Sequence, residues 1–300
     1  MITRHKYKDL IWVDMLSPTN DELEEVRDEL GLSRFTKYEL SSPSLKPRVD
    51  NSNSSYLYLV LHFPVHTHKI QQPEQEVDFV IGKNFLLTVR YDDIHAFDTF
   101  YKALKTLPDE EAFLPINLFI ALTQKMYKSV ESNIDKVSDE LEIIEKEIFR
   151  GHEKEMVRAL SEVGRDILNL KHALDPHQDV WNSLEKVIVD FAGEEYKYKV
   201  RNLEDTYYRA RKHITHLWQT LSELRETNNS LLSTNQNEVM KIFTILAFVT
   251  FPLSLIASIF GMNTKHIPII GHNYDFWIVM FLMFLSTVMM YAYFKYKKWI

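Results

Sequence analysis

The chain has 300 residues, of which 45% are hydrophobic, and its formal net charge is −7. Basic residues are mixed with acidic ones along the chain, so we exclude nucleic acid as a partner. The absence of cysteine excludes a disulfide framework and a thiolate metal site. The sequence has no GxxxxGK[ST] phosphate loop and no HExxH motif, so we expect neither an enzyme nor an organic cofactor.

The N-terminal part predicts a small mixed sheet flanked by helices. Leu10 to Asp14 is strand-like, and Thr19 with Glu22 fits a capping box that begins a short helix, which Gly31 ends. Further strands are predicted where Val, Leu, Phe and Tyr are frequent, at Tyr56 to Val65, Glu76 to Ile81 and Phe85 to Tyr91. Met1 to Asp9 is polar and basic and lacks the apolar core of a signal peptide, so we expect this part in the cytoplasm.

Long helices are predicted from Pro115 onwards, because prolines become rare. Glu194 to Phe260 predicts one nearly continuous helix. Its apolar residues recur every three or four positions, so it must pack against neighbouring helices or against other copies of the chain, and we expect an oligomer. These positions are Val200, Leu203, Tyr207, Ile214, Leu217, Leu221, Leu224 and Leu231.

Two apolar runs near the C-terminus, Ile242 to Phe260 and Phe276 to Phe294, contain no Asp, Glu, Lys, Arg or His. A bilayer core about 30 Å thick is crossed by roughly 20 helical residues, so both runs predict transmembrane helices in contact with lipid. Aromatic residues mark both ends of the second run, as at membrane interfaces. They are Tyr274, Trp277, Tyr291, Tyr293, Tyr296 and Trp299.

The charges beside these runs predict the orientation. Lysines 241, 295, 297 and 298 lie outside the pair of runs, whereas the loop between them holds only Lys265 and Asp275. Because positive residues favour the cytoplasmic side, we expect a multi-pass protein of the cell membrane with both termini in the cytoplasm.

One face of the first run carries both polar and bulky apolar residues. Steps of seven residues connect Asn237, Thr244, Phe251 and Ser258, and Met240, Ala247 and Ser254 lie between them. In a single chain the hydroxyls of Thr244, Thr250, Ser254 and Ser258 would be largely unpaired in lipid. Closure of several copies around an axis would give these groups water to face.

Four features now form a recognisable set: Asn237-Glu238-Val239-Met240-Lys241 before the first span, Pro252 within it, Phe260-Gly261-Met262-Asn263 at its end, and a Lys-rich tail with Trp299. Together they resemble the CorA family of magnesium transporters. The resemblance implies an α+β fold, with an αβα cytoplasmic domain, a long stalk helix and two C-terminal transmembrane helices. It also implies a homopentameric funnel with a pore lined by the first span, and uptake of divalent cations.

The implied domains follow the chain. They are a mixed α/β cytoplasmic domain (1–110), a helical cytoplasmic region (111–193), the stalk helix (194–241), the pore helix (242–260), an external loop (261–275), the second transmembrane helix (276–294) and a basic cytoplasmic tail (295–300).

By resemblance, Gly261, Met262 and Asn263 form the outer ion-recognition motif. Mg²⁺ dehydrates reluctantly, and a ring of Asn263 carboxamides would accept hydrogen bonds from its coordinated water without trapping the ion by a fixed charge. Gly261 would let the chain leave the helix in a left-handed or tight turn. The expected pore-lining residues are Asn237, Met240, Thr244, Phe251 and Ser254.

The resemblance also implies a second role for Mg²⁺, as a regulatory ion bound between adjacent cytoplasmic domains. The matching segment places Glu39 on one side, with Glu194 or Glu195 as the partner acid. Two carboxylates this close would repel without a cation between them, so loss of Mg²⁺ should loosen the subunit interface.

Two alternatives remain open. A zinc-transporting relative would typically carry isoleucine in place of Met262, and a membrane-anchored cytoplasmic scaffold or sensor would use its two spans only as a tether. The polar residues on one face of the first span argue against a simple tether. The loop segment 264–270 lacks the carboxylate of many family members, which leaves the preference among Mg²⁺, Co²⁺, Ni²⁺ and Zn²⁺ undecided.

Overall fold

The computed structural model describes residues 1–7, 10–64, 74–104, 114–262 and 274–299. The chain forms two compact units, Met1–Arg225 and Glu226–Ile300, and each has its own architecture.

In the described part of the first unit, six strands form one mixed sheet in the order β1-β2-β6-β5-β4-β3. Only the neighbours β2 and β6 are parallel in this sheet, with Ile11 opposite Phe85 and Leu16 opposite Arg90. The three strand regions predicted after residue 50 are present, although Val65 lies outside the described residues. The strands are β1 (Ile2–Tyr7), β2 (Leu10–Leu16), β3 (Arg48–Asp50), β4 (Tyr56–Pro64), β5 (Glu74–Gly82) and β6 (Phe85–Arg90).

Two short helices, α1 (Asn20–Leu30) and α2 (Arg34–Glu39), follow the second strand. The predicted capping box begins α1: the Glu22 N–H donates to Thr19 Oγ1 at 3.3 Å, and the Thr19 N–H donates to Glu22 Oε2 at 2.9 Å. Gly31 ends the helix in the left-handed conformation, with φ of 68°. This local prediction is confirmed.

The sheet is covered on both faces because apolar residues occupy both sides of its central strands. Val13, Met15 and Val89 face α1 and α2 in one core. On the opposite face, Phe79 packs edge-on against Phe119 with ring centroids 5.1 Å apart. The helices after the sheet are α3 (His95–Leu104), α4 (Pro115–Phe149), α5 (Glu153–Leu174) and α6 (His177–Ala192). This layering is the expected αβα arrangement.

A 3₁₀ turn at Glu194–Tyr196 leads into α7 (Lys197–Phe260), so the predicted long helix is present. Its apolar face is buried within the same chain, which corrects part of the sequence argument: this face does not by itself require an oligomer. The fully buried positions are Val200, Leu203, Tyr207, Ile214, Leu217, Leu221 and Leu224, and Leu231 is half-buried.

An aromatic cluster holds the first part of α7 in the N-terminal unit. The Tyr207 ring lies 6.1 to 6.3 Å from the rings of Tyr127, His177 and Trp181. The Trp181 Nε1–H donates to Tyr127 Oη at 3.0 Å, and the His62 backbone N–H donates to His177 Nε2 at 3.3 Å. Burial lowers the pKa of His177 to about 3, so the ring is neutral and its single proton lies on Nδ1, 2.6 Å from Tyr127 Oη.

The second unit contains the remainder of α7 and α8 (Asp275–Tyr296). Both helices include a stretch long and apolar enough to cross a membrane, and these stretches are not buried in the protein. The rings of Phe248 on α7 and Phe294 on α8 meet edge to face, 6.4 Å between centroids.

Candidate functional site

The first span ends in a tight turn at Gly261. Its N–H donates to the Ala257 carbonyl at 2.9 Å, and the Met262 N–H donates to the Ile259 carbonyl at 3.4 Å. The sequence allowed either a left-handed or a tight turn here. The backbone of Gly261 is not left-handed, so the chain adopts the tight turn. A Cβ at this position would lie 3.0 Å from the Ala257 carbonyl oxygen, which explains why glycine suits the turn. Asn263 and the loop as far as residue 273 lie outside the described residues.

One side of α7 is marked by half-buried residues along the first span. Ile245, Val249, Pro252 and Ile256 are half-buried at steps of three and four residues. The Phe248 to Phe294 contact shows that α8 covers the helix near this stripe. The stripe therefore identifies the side of the first span that faces α8.

The expected pore-lining residues lie mostly away from that stripe. Met240, Phe251 and Ser254 are exposed, and at 3.6 residues per turn they are rotated more than about 120° from it. Asn237 is also exposed, whereas Thr244 is half-buried. The chain thus leaves one face of α7, mixed in polarity, without partners from α8.

The hydroxyls of Thr244 and Thr250 correct part of another sequence argument. The Thr244 hydroxyl donates to the Met240 carbonyl at 2.8 Å, and the Thr250 hydroxyl donates to the Leu246 carbonyl at 2.8 Å. These groups are satisfied inside their own helix, a common arrangement for threonine. They therefore do not require a water-filled axis.

The end of α8 forms a compact basic and aromatic turn. Lys298 is left-handed with φ of 55°, and the Trp299 N–H donates to the Phe294 carbonyl at 3.0 Å. This bonding folds the Trp299 ring back onto Phe294 in a stacked contact of 5.9 Å. Lys297 lies at the same end, so positive charge is concentrated beside an aromatic surface.

Glu39, the expected regulatory ligand, is the last residue of α2 and forms an ion pair with Arg48, the first residue of β3. Glu194 pairs with Lys197 at 3.5 Å, and both Glu194 and Glu195 are exposed. No group of three or more candidate ligands that could hold a metal occurs among the described residues. Within the part of the chain that the structure describes, Glu39 thus belongs to no such group.

A buried polar network lies beneath the segment that connects Glu39 to Arg48. Both carboxylate oxygens of Glu76 accept the Ser44 backbone N–H, at 2.7 and 2.9 Å. Asp78 accepts bonds from the hydroxyls of Tyr58 at 3.4 Å and Tyr91 at 3.2 Å. Burial raises the pKa of Asp78 well above its usual range, and the nearby Glu76 carboxylate raises it further.

His62 supplies positive charge to this network. Its Nδ1 lies 3.2 Å from Glu74 Oε2 and its Nε2 lies 3.4 Å from Glu76 Oε2. Burial alone would lower the pKa of His62, but the hydrogen bonds and charges of the two glutamates outweigh it and raise the pKa to about 9. Neither this network nor the role of Arg48 was predicted from the sequence.

The family of the chain follows from comparison with known proteins. A model of the family described as CorA-like Mg²⁺ transporter protein matches residues 7–297. The chain belongs to this family. The resemblance to the CorA family is therefore confirmed.

Relatives of the CorA family match over nearly the whole chain. The cobalt/magnesium transport protein CorA of Thermotoga maritima is 25% identical over 286 residues, covering 93% of this chain and 80% of the relative. The Methanocaldococcus jannaschii protein of the same name is 24% identical over 299 residues, covering 97% and 92%. The chain is thus a member of a Mg²⁺ and Co²⁺ transporter family and a membrane protein.

Solved structures support the CorA fold. The complete CorA magnesium transporter from Methanocaldococcus jannaschii matches with a TM-score of 0.85 and 21% identity, covering 99% of this chain and 93% of that one. The full-length CmaX protein matches with a TM-score of 0.76 and 17% identity, covering 97% and 89%. The predicted fold, a sheet domain followed by a long helix and two apolar C-terminal helices, is confirmed.

Proposed function

We propose that the chain forms a homopentameric, channel-like pathway for Mg²⁺ uptake, with Co²⁺ and Ni²⁺ as further candidate ions. The observation that carries this proposal is the face of α7 that α8 leaves uncovered and that includes Met240, Phe251 and Ser254. Lipid tails offer no hydrogen bonds to the polar residues of this face. Around a central axis of several copies, the same face would line a water-filled pathway. Membership of the CorA family supports the same assignment.

The outer end of the pathway is formed by Gly261-Met262-Asn263. The tight turn at Gly261 ends the span directly before Asn263. A ring of carboxamide oxygens at this position accepts hydrogen bonds from the water shell of Mg²⁺, which the ion gives up only reluctantly. Neutral ligands also bind the cation weakly enough to let it leave. Inside, the bulky Met240 and Phe251 side chains close the pathway by excluding water.

The membrane potential drives the ion inward. Both termini lie in the cytoplasm. A divalent cation gains about 4.6 kcal/mol per 100 mV when it enters a negative interior. This energy is sufficient for uptake, so the transporter needs no nucleotide hydrolysis.

Cytoplasmic Mg²⁺ regulates the pathway at the interface between copies. Glu39 of one copy and Glu194 or Glu195 of the next hold the ion, which removes the repulsion between their carboxylates. The exposure of Glu194 and Glu195 and the position of Glu39 at the end of α2 support this assignment. At low Mg²⁺ the interface between the cytoplasmic domains loosens and the pathway opens.

The proposal is tested by Mg²⁺ influx into proteoliposomes at a set voltage. Asn263→Ala should reduce influx to that of protein-free vesicles while the oligomer remains intact by size-exclusion chromatography. Asn273→Ala, in the same loop, is the matched control and should retain influx. Unchanged flux in Asn263→Ala would favour the membrane-anchored scaffold, and stronger competition by Zn²⁺ than by Co²⁺ would favour the zinc-transporting alternative.

A further inference from the structure

The Glu39 carboxylate already has a cationic partner within its own chain. Arg48 pairs with it, and the Glu39 side chain is only 19% exposed, against 43% for Arg48. The Arg48 guanidinium also lies over the Tyr58 ring, 5.6 Å from its centroid. This second contact holds the guanidinium beside Glu39, because an arginine above an aromatic face is stabilised there independently of the carboxylate.

The segment between these two residues is anchored so that its ends stay together. The Tyr91 hydroxyl, whose single hydrogen is shared with Asp78, lies 3.2 Å from the Leu40 carbonyl oxygen, and the Ser41 hydroxyl donates to the Tyr38 carbonyl at 2.6 Å. Further along, Glu76 accepts the Ser44 N–H. The bonds of Tyr91 and Glu76 fix the end of α2 and the middle of the segment to the sheet that contains Arg48.

The surface around the pair is open and partly apolar. Tyr38 is 73% exposed and Leu45 is 97% exposed. Residues 42–48, with Tyr38 and Glu39, line a cavity of about 560 Å³. A cation can therefore reach the Glu39 carboxylate from this side, and it would meet the Arg48 guanidinium there.

We propose that Arg48 is an internal counter-ion that competes with the regulatory divalent cation for Glu39 and so sets the cation concentration at which the cytoplasmic interface closes. This inference rests on the proposed regulatory site at Glu39. When the cation is scarce, Arg48 neutralises Glu39 and limits the repulsion between copies. When the cation is abundant, it replaces the guanidinium as the partner of the Glu39 carboxylate.

Competition has a measurable consequence. Removal of the guanidinium leaves Glu39 available without displacement, so less cation is needed to occupy the site. For a partly exposed ion pair we expect the Mg²⁺ concentration at half-saturation to fall about two- to fivefold. A lysine at position 48 keeps the charge but loses the planar fork and its contact with the ring, so its effect should be smaller.

The experiment is protection of the full-length oligomer from chymotrypsin across a MgCl₂ titration at constant ionic strength. Chymotrypsin cleaves at neither arginine nor glutamate and only slowly after methionine, so its preferred aromatic sites are unchanged in all variants. Arg48→Met should lower the half-protection concentration about two- to fivefold, and Arg48→Lys should lower it less. Arg4→Met is the matched control, because Arg4 is 39% exposed and pairs with Glu25 at 2.7 Å and Glu29 at 3.0 Å at another place. It should leave the midpoint unchanged.

Glu39→Gln separates this inference from the proposal on which it rests. If Glu39→Gln raises the midpoint while Arg48→Met and Arg48→Lys leave it unchanged, the site exists and Arg48 is not a competitor. If Glu39→Gln also leaves the midpoint unchanged, the regulatory site itself is misassigned. Size-exclusion chromatography without Mg²⁺ checks assembly, and should Arg48→Met fail to assemble, the Arg48→Lys midpoint decides: a decrease supports competition and no change overturns it.

Discussion

The two units use the same helix in opposite ways. In Met1–Arg225, α7 buries Tyr207 completely against other helices of the chain, whereas in Glu226–Ile300 it leaves Phe251 72% exposed. The first unit therefore completes its hydrophobic core within one chain. The second unit presents apolar and mixed surfaces that a soluble protein would not leave open. Under the function proposed above, lipid and further copies of the chain cover these surfaces.

The same contrast distinguishes residues that stabilise the fold from residues that we expect to act in ion transport. Residues in the N-terminal core hold the sheet and helices together, so their loss should unfold local structure. Residues on the open face of α7 contribute little to the fold of one chain, so their loss should change ion movement instead. Three substitutions examine this difference.

The largest expected effect is that of Tyr207→Ala. The substitution removes a fully buried aromatic ring from the cluster with Tyr127, His177 and Trp181. We expect the first unit to lose about 3–5 kcal/mol of stability. Hydrogen exchange followed by mass spectrometry should show faster exchange in α4, α6 and the first part of α7.

Tyr207→Phe is the control for this substitution. Among the described residues the Tyr207 hydroxyl is buried without a hydrogen-bond partner, so its removal should be neutral or slightly stabilising. Equal destabilisation by the two variants would contradict the view that ring packing, rather than the hydroxyl, holds α7 in this unit.

A smaller effect, which depends on pH, is expected for His62→Gln. The folded-state pKa of His62, about 9, exceeds the ordinary value of 6.5. Its contribution to stability is therefore fully present below about pH 6.5 and is lost as the pH rises through about 9. We expect His62→Gln to cost about 1–3 kcal/mol at pH 6 and less at pH 9.5.

Thermal unfolding of the full-length protein in detergent at the two pH values measures this difference. The exposed His213 serves as the control, and His213→Gln should change stability little at either pH. A cost of His62→Gln that is equal at both pH values would show that the charge of His62 does not stabilise the network of Glu74 and Glu76.

The smallest effect on stability is expected for Phe251→Ala, within about 0.5 kcal/mol, because the side chain is largely exposed in the chain. Its effect on transport should be clear, since a smaller residue would weaken the apolar closure of the pathway and increase leak at high internal Mg²⁺. Flux measurements in proteoliposomes with Mg²⁺ inside test this. A clear loss of stability in Phe251→Ala, with flux unchanged, would contradict this expectation.

Much of the fold was predictable because its signals are local. The capping box at Thr19, the apolar strands and the periodic face of α7 each specify structure within a short stretch of sequence. The edge strands β1 and β3 were not predicted, since β1 is polar and partly exposed and β3 contains three residues. Helices α2 and α3 were not predicted either; α2 has only six residues, although Ser33 caps its start.

The candidate site was predictable only in part. Composition and spacing indicate the spans and the face of α7, but contacts between distant residues leave no such pattern. The Glu39 to Arg48 pair joins a helix end to a strand, and the Tyr58 ring that holds Arg48 comes from another strand. The hydroxyls of Thr244 and Thr250 bond within their own helix, which residue type alone did not reveal.

The central claim is that water, rather than lipid or protein, contacts the face of α7 that α8 leaves open. The absence of native cysteine allows single cysteines to be placed on either side of the helix. Ser254→Cys lies on the open face, and Ile256→Cys, two residues further, lies on the side that faces α8.

Modification by a charged, water-soluble thiol reagent in proteoliposomes is the most direct measurement. Ser254→Cys should react readily at low Mg²⁺, and its modification should block Mg²⁺ influx, while Ile256→Cys should react slowly and keep its flux. An unreactive Ser254→Cys, or equal reaction at the two positions, would contradict a pathway along this face.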